Sequence, residues 1–274
     1  MLSLERAKVT SGSACLQAQM LERISPPSVD AFQRCYVAAR RPVVLKGMIR
    51  DWPAMRRWSL DYLRTAYATT PVVTLRAESG RVIMNSETGA VEERMQLREF
   101  IGAVHAGVND RYLTSRMSAL PKSLRRDTPL PMYCAGASWH NSNLWIGPAG
   151  TIACLHRDLA DNLHAMVSGR KRFTLVAPRQ GSLVYPNGLF DSFPNGCRVD
   201  IECPDYSRFP KLRGVETVVA ELEPGDAIYI PRRWWHHART LAVSVSVNFW
   251  WASGLQRVIV LLADTIKRVR GISR

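Results

Sequence analysis

Two short segments of the chain contain residue types that bind transition metals. The first is His156-Arg157-Asp158, in which a histidine and an aspartate lie two residues apart. Residues two apart on a β-strand point to the same side, so this imidazole and carboxylate can reach one metal ion. The second is Trp234-Trp235-His236-His237, which offers a further ligand from a distant part of the chain. Two histidines and one carboxylate form the ligand set of non-haem Fe(II) oxygenases, although hydrogen-bonded core pairs share the His-x-Asp spacing.

Strands are expected to position these segments. From residue 142 onwards, short β-rich stretches alternate with turns that contain glycine or proline. The predicted strands are 143–146, 151–155, 162–167, 172–176, 215–221, 227–230 and 242–250. His156 follows the second of these strands, and His236 is expected in a loop after the strand 227–230. Many short strands at such spacing are typical of an antiparallel sandwich or barrel.

The predicted strand 242–250 has two different faces. Its residues alternate strictly, which places Ser244, Ser246 and Asn248 together on a polar face. Such a face on an otherwise apolar strand either meets solvent or lines a cavity.

Helices are predicted mainly outside this β-rich region. Ser28 is expected to cap a helix over 29–39, and Ser59 is expected to cap a helix over 60–67. A third helix is predicted over 93–106, and short strands are predicted at 42–45, 72–75, 81–84 and 111–114. The final helix, over 254–270, has one apolar face and a basic last turn. This helix either packs on its own domain or mediates dimerisation.

Composition limits the class of protein. The 274 residues include 46% hydrophobic side chains and no apolar run long enough to span a membrane. No signal peptide is recognisable at the N-terminus, so a cytoplasmic protein is expected. The six cysteines form no Cys-x-x-Cys pair, which argues against a disulfide framework. The net charge of +14 favours an acidic partner such as nucleic acid, but the basic residues are scattered along the chain.

The ordered motifs resemble a known family. From Asn143 to Ala252, and more weakly at Pro42–Gly47, Asp51–Pro53 and Trp58–Leu60, the chain resembles the JmjC-type (cupin-like) 2-oxoglutarate oxygenases. It is most similar to the branch that contains the asparaginyl hydroxylase of hypoxia-inducible factor. The resemblance implies a mostly β fold with flanking helices around a double-stranded β-helix (cupin or jelly-roll) core. It also implies Fe(II) as cofactor, with 2-oxoglutarate and dioxygen as co-substrates.

The resemblance also implies roles for individual residues. The metal ligands would be His156, Asp158 and His236, since the ligand in this family is the histidine directly after the tryptophan pair. Lys171 occupies the position of the cation that binds the C5 carboxylate of 2-oxoglutarate, and the flanking Arg170 and Arg172 are expected in solvent. Three further positions match residues that bind the co-substrate or lie close to the iron: Tyr112, Asn162 and Asn248.

One position departs from the family pattern. A threonine often lies three residues before the first iron ligand and donates a hydrogen bond to the C5 carboxylate, whereas this chain has Ala153. The change removes one hydrogen bond, worth about 0.5–1.5 kcal/mol. Thr151 and Tyr112 are the nearest candidates to replace it.

The expected activity is hydroxylation of a C–H bond on a peptide or protein side chain. The alternatives are hydroxylation of an amino acid or carrier-bound intermediate, hydroxylation of an RNA base, and a non-catalytic metal-binding cupin. The expected organisation is a lead-in over 1–27, the oxygenase domain over 28–252 and a C-terminal helix over 253–274 that is a candidate for homodimer formation. Two long segments, 117–140 and 190–214, are expected to determine substrate choice.

Overall fold

Strands dominate residues 16–85 and 89–269, the part of the chain that the computed structural model describes. The strands are β1 Gln17–Met20, β2 Arg23–Ile24, β3 Val43–Leu45, β4 Pro71–Glu78, β5 Arg81–Val82, β6 Met84–Asn85, β7 Gly89–Ala90, β8 Glu92–Gln96, β9 Arg111–Arg116, β10 Ser142–Gly147, β11 Ile152–Arg157, β12 Asp161–Val176, β13 Glu216–Leu222, β14 Ala227–Ile230 and β15 Trp235–Trp251. The α-helices are α1 Val29–Phe32, α2 Pro53–Arg57, α3 Leu60–Ala66, α4 Leu97–His105, α5 Lys122–Asp127 and α6 Leu255–Val269. A π-helical segment, Gln33–Val37, continues α1, and short 3-10 helices occupy Met117–Ala119, Trp139–Asn141, Pro178–Val184 and Pro210–Gly214.

Two long antiparallel strands, β12 and β15, form the centre of the barrel. They pair along nearly their whole lengths, from Asp161 opposite Trp251 to Val176 opposite Trp235. On its other edge β15 pairs first with β11 and then with β10. Similarly, β12 pairs first with β14 and then with β13. Each long strand therefore belongs to two successive turns of strand pairing, which is the double-stranded β-helix of a jelly roll, and the predicted fold class is confirmed.

Both faces of the long strands are buried, but in different surroundings. On the outward face of β12, Leu163 and Ala165 belong to a cluster that also contains Phe32, Leu97 and Phe100 from the flanking helices. On the inward face, Met166 and Phe173 belong to a separate apolar cluster inside the barrel. The barrel interior also holds the buried polar face of β15, made of Ser244, Ser246 and Asn248. Of the two predicted possibilities for this face, contact with solvent is excluded, because all three residues are buried.

The predicted break between strands 162–167 and 172–176 is wrong, because one strand, β12, spans both. The register with β15 shifts three times between Met166 and Lys171. At Ser168-Gly169 the chain therefore forms β-bulges within one strand instead of the predicted turn. Gly169 has a φ of +73°, and a Cβ there would lie 2.1 Å from the carbonyl oxygen of Val243. Lys171 accordingly lies on the strand directly after the first two predicted ligands.

Three other predictions need correction. His236 lies on β15 rather than in a loop, because β15 begins seven residues before the predicted strand 242–250. The predicted helix 93–106 begins at Leu97, since residues 92–96 pair with β4 as strand β8. Part of the lead-in is structured: β1 pairs with β13 and β2 pairs with β3. Residues 1–15 of the lead-in, Cys15 among them, lie outside the described residues.

The predicted helix starts at Ser28 and Ser59 are confirmed. The Ser28 hydroxyl accepts a hydrogen bond from the backbone N–H of Ala31, and the Ser59 hydroxyl accepts one from Tyr62. The cysteines that the structure describes are free thiols. Within residues 16–85 and 89–269, no helix combines the length and apolar character needed to cross a membrane. The division of the chain at residues 27 and 252 stays a prediction.

Candidate metal centre

Three candidate ligands meet at one mouth of the barrel. His156 lies near the end of β11, directly opposite His236 on β15, and Asp158 follows β11 by one residue. One potential ligand atom from each of the three residues lies within 4.8 Å of the other two. The Nε2 atom of His236 is 3.6 Å from the Oδ2 atom of Asp158. His236 is buried, whereas His156 and Asp158 are half-buried, so one side of the group remains accessible to a substrate.

Backbone carbonyls orient both imidazoles. The Nδ1 atom of His156 lies 2.7 Å from the carbonyl oxygen of Cys154, and that of His236 lies 3.1 Å from the carbonyl oxygen of Trp234. With each Nδ1–H donating to its carbonyl, each Nε2 lone pair is free to bind a metal. Burial, together with the neighbouring His156, lowers the pKa of His236 to about 4. The imidazole of His236 is therefore neutral near pH 7, as metal binding requires.

A chain of hydrogen bonds holds the Asp158 carboxylate. Its Oδ2 atom accepts bonds from the indole N–H of Trp250 at 2.7 Å and from the amide of Asn162 at 3.3 Å. Asn248 in turn donates to Asn162 at 3.0 Å, and Trp145 donates to Asn248 at 2.7 Å. Two predicted site residues thus form a chain of hydrogen bonds, in which Asn248 holds Asn162 and Asn162 holds the candidate carboxylate ligand.

The loop before His236 is fixed to the strand that follows Asp158. Asp161 accepts hydrogen bonds from the backbone N–H and the guanidinium of Arg232, and from the hydroxyl of Tyr229. The backbone N–H of Arg233 donates to the carbonyl of Asp158 at 2.8 Å. These contacts set the distance between the two halves of the candidate site.

Lys171 supplies a buried positive charge inside the barrel. Its side chain is 1% exposed, and its ammonium donates to the hydroxyls of Tyr112 and Ser246, each at 2.9 Å. No carboxylate of the described residues lies within ion-pair distance of this ammonium. Burial lowers the pKa of Lys171 to about 7. A buried ammonium that has hydroxyl partners but no counter-charge suits an anionic ligand.

The neighbours of the predicted site residues lie in several different environments. Arg170 and Arg172 are exposed, and Arg172 pairs with Glu221. His237 lies outside the candidate ligand group, with its Nε2 3.7 Å from Glu202. The Thr151 hydroxyl donates to the carbonyl of Pro148 instead of facing Lys171, so Thr151 does not replace the hydroxyl that is missing at Ala153.

Sequence reasoning missed several contributors. No local pattern indicates that the indole N–H groups of Trp145 and Trp250 donate hydrogen bonds within the site. Ser246 was found through the polar face of its strand, but its contact with Lys171 depends on the bulges of β12, which no local pattern indicates. Phe193, from the long segment 190–214, has its ring centroid 6.0 Å from that of His156.

Comparison with known proteins places this arrangement in a family. The sequence profile of the cupin-like domain matches residues 29–256. The chain belongs to the cupin-like domain family. Among similar proteins are Lysine-specific demethylase 8 of Xenopus tropicalis, 31% identical over 85% of this chain, and Lysine-specific demethylase JMJ30 of Arabidopsis thaliana, 30% identical over 87%. This cupin-like domain spans 53% and 56% of those two proteins, or about half of each.

A relative of similar size is the human Bifunctional peptidase and (3S)-lysyl hydroxylase JMJD7. It is 25% identical over 90% of this chain and 89% of its own length. Several relatives are named for a JmjC domain, which agrees with the resemblance found in the sequence. The donor set of this cupin-like domain, two imidazoles and one carboxylate with an accessible side, fits Fe(II).

Proposed function

We propose that this chain is an Fe(II)- and 2-oxoglutarate-dependent dioxygenase that hydroxylates a C–H bond on a peptide or protein side chain. The main support is one juxtaposition: a His-Asp-His group at the barrel mouth and a buried ammonium without a counter-charge in the same barrel. A metal ion would bind to the His-Asp-His group, and a dicarboxylate would supply the counter-charge for the ammonium. Membership of the cupin-like family, with relatives named as hydroxylase and demethylases, supports the same activity.

Each site residue has a defined part in this proposal. His156, Asp158 and His236 hold Fe(II), which together with 2-oxoglutarate and dioxygen supplies the oxidising chemistry. Lys171 and Tyr112 bind the C5 carboxylate of 2-oxoglutarate. Two further residues, Asn162 and Asn248, keep the Asp158 carboxylate in place beside the metal-binding end of the co-substrate.

A protein side chain is the favoured substrate. The human relative is named a lysyl hydroxylase, and two further relatives are named lysine-specific demethylases. The segment 190–214 is well placed to bind such a substrate, because the Asn195 carbonyl accepts a hydrogen bond from Arg157, next to the first candidate ligand. Phe190, the first residue of this segment, is 81% exposed, and the preceding Leu189 is 77% exposed. In segment 117–140, Lys122, Arg125, Arg126, Pro129 and Trp139 line a groove of about 480 Å³ that favours an acidic stretch of the partner.

The test is oxygen-dependent release of succinate from 2-oxoglutarate by the purified chain with added Fe(II). We expect His236→Ala to lose bound iron and turnover, whereas His237→Ala, its neighbour outside the ligand group, should keep both once its fold is checked by circular dichroism. An active His236→Ala protein with a normal iron content would refute the ligand assignment.

The alternatives predict different results in the same assay. A substrate panel of lysine-containing peptides, free amino acids and tRNA identifies the class that increases succinate release. Mass spectrometry then distinguishes the gain of one oxygen atom from the loss of a methyl group. Tight metal binding without any 2-oxoglutarate binding would favour the non-catalytic cupin.

We also propose that α6 mediates a homodimer. Val258, Leu261 and Leu262 on this helix are 50%, 57% and 59% exposed, so a second apolar surface would be needed to cover them. Size-exclusion chromatography with light scattering should give a dimer that Leu262→Lys converts to a monomer. A wild-type monomer at micromolar concentration would refute this part of the proposal. Besides Val258 and Leu262, the predicted apolar face contains Ile259, which is 37% exposed, and Leu255, Ile266 and Val269, whose side chains lie outside the described residues.

A further inference from the structure

A second buried imidazole, that of His164, lies inside the barrel and takes no part in the site described above. His164 lies on β12, two residues after Asn162, and it pairs with Asn248 on one side and with Ile228 on the other. Alternation along the strand places His164 on the inward face with Asn162. It therefore lies between the polar residues around Asp158 and the apolar cluster that contains Ile228.

The ring of His164 has an unsatisfied polar atom. His164 is 7% exposed, and its buried Nε2 has no hydrogen-bond partner among the residues that the structure describes. Its ring packs edge-on against Phe173, with centroids 5.1 Å apart. Burial, with smaller effects from Lys171 and His236, holds the pKa of His164 well below its ordinary value. The imidazole is therefore neutral and can donate one N–H bond. A buried nitrogen without a partner destabilises the folded chain, and a phenylalanine at this position would avoid that cost.

The position of His164 is related to that of Ala153, where a hydroxyl donor is missing. Across three neighbouring strands, Ala153 on β11 pairs with Ala238 on β15, and Ala238 pairs with Phe173 on β12. Cys154 contacts the outer residue Arg81, so alternation turns Ala153 inward. The ring of Phe173 in turn packs against the ring of His164. Ala153, which lacks a hydroxyl donor, and His164, whose Nε2 lacks a partner, thus face the same layer of the barrel interior.

We infer that His164 is a co-substrate-binding residue that donates an Nε2–H hydrogen bond to the distal carboxylate of 2-oxoglutarate, in place of the hydroxyl absent at Ala153. The inference rests on the proposed function, since it requires 2-oxoglutarate to bind between the metal centre and Lys171. It differs from a packing role, because packing against Phe173 needs only the ring, whereas this role needs the nitrogen.

The experiment measures ligand binding by calorimetry with the Mn(II)-loaded protein, without turnover. His164→Phe keeps an aromatic ring and removes the donor, and we expect it to weaken 2-oxoglutarate binding about tenfold or more. His164→Gln, which keeps an N–H donor, should lose less. Adding Ala153→Thr to His164→Phe should restore most of the affinity, because it returns a hydroxyl to the same layer. His164→Leu replaces His164→Phe if the latter does not fold.

A second ligand tests whether the hydrogen bond from His164 goes to the distal carboxylate of the co-substrate. The probe is 2-oxopentanoate, which has the same five carbons with a methyl group in place of the distal carboxylate. We expect wild type and His164→Phe to bind it equally. Equal binding of 2-oxoglutarate by these two proteins, or an equal loss for both ligands in the variant, would overturn the inference and leave the proposed function intact. If wild type does not bind 2-oxoglutarate, it is the proposed function that fails.

Discussion

Replacing Lys171 by methionine should stabilise the ligand-free protein near pH 7 and at the same time remove most of its affinity for 2-oxoglutarate. Methionine has a similar length and no charge, so it fills the buried space without an ammonium. In the folded protein the ammonium is 1% exposed and has two hydroxyl partners but no anion. The chain therefore bears the cost of burying this charge until an anionic ligand offsets it.

The magnitude of that cost follows from the pKa. Burial lowers the pKa of Lys171 from its ordinary value of 10.5 to about 7. At about 1.4 kcal/mol for each pH unit, this difference corresponds to about 5 kcal/mol of lost stability below pH 7, where both folded and unfolded chains are protonated. Methionine would lose the two hydrogen bonds to Tyr112 and Ser246, at about 0.5–1.5 kcal/mol each or about 1–3 kcal/mol together. The net gain expected near pH 6.5 is thus about 2–4 kcal/mol.

The pH dependence of this gain has a definite sign. Above pH 7 the folded protein releases the Lys171 proton, whereas the unfolded chain keeps it up to about pH 10.5. Because the unfolded state then binds more protons, the stability of the wild type rises with pH across this window relative to the variant. The advantage of Lys171→Met should therefore shrink from pH 7 upwards and change sign between about pH 8 and 10, where the remaining charge penalty equals the cost of the lost hydrogen bonds.

The Lys171→Met change should weaken the binding of 2-oxoglutarate, although it stabilises the ligand-free protein. A carboxylate beside the ammonium returns the pKa of Lys171 towards its ordinary value, so 2-oxoglutarate binding at pH 8 should take up a proton. Loss of a charged hydrogen bond costs about 1.5–3 kcal/mol, which corresponds to an affinity about 10-fold to 150-fold lower in Lys171→Met. Calorimetry in buffers of different ionisation enthalpy measures both the affinity and the proton uptake.

Urea unfolding at pH 6.5, 8 and 9.5, with a chelator and without ligand, tests the stability prediction. A variant that is less stable than wild type at pH 6.5, or a stability difference that does not change with pH, would show that Lys171 is not a buried ammonium without a counter-charge. Unchanged 2-oxoglutarate affinity in a well-folded variant would refute its role in binding.

Three further predictions concern the support of the site and of the fold. Trp250→Phe removes the indole bond to Asp158 and should weaken Fe(II) binding about 10-fold to 100-fold, measured by competition with a chelator; full affinity would mean that the bond does not orient the ligand. Gly169→Ala puts a Cβ 2.1 Å from a backbone oxygen at a φ of +73°, so its free energy of unfolding should fall by at least about 2 kcal/mol, and a smaller loss would contradict the tight bulge. Ser59→Ala removes the cap on the backbone N–H of Tyr62 and should cost about 0.5–2 kcal/mol in urea unfolding, with 2-oxoglutarate affinity unchanged as the control.

The strand content of the barrel could be predicted because its local patterns are strong. The strand Ala227–Ile230 was predicted with its observed bounds, since Glu223-Pro224-Gly225 and Pro231 delimit it on both sides. The strict alternation of 243–249 likewise predicted one polar face on this strand, and the structure buries that face. In such segments the two-residue period and the turn residues point to the same structure.

Long-range pairing decided the elements that were predicted wrongly. Residues 92–96 have helix-forming side chains, yet they form β8 because β4 offers them a partner. The Ser168-Gly169 signal was interpreted as a turn, but strands on both sides hold β12 straight and convert it into bulges. A sequence pattern shows which residues can turn, and it does not show which strand will pair with them. The homodimer, the cytoplasmic location and the RNA alternative stay predictions.

The polar residues inside the barrel were the hardest to interpret, because their role follows from the ion-pair and hydrogen-bond partners that they lack. Lys171 was found through the resemblance to the oxygenase family, but His164 has no such signal: its neighbours Leu163 and Ala165 face the outer core and indicate only a buried strand. The structure shows that Lys171 lacks an anion and His164 lacks an acceptor within the same interior. Two buried donors that both lack an acceptor of this kind are costly in a folded chain unless a ligand meets both requirements. A single dicarboxylate can do so, and this is why the buried cation and the buried imidazole are best explained together.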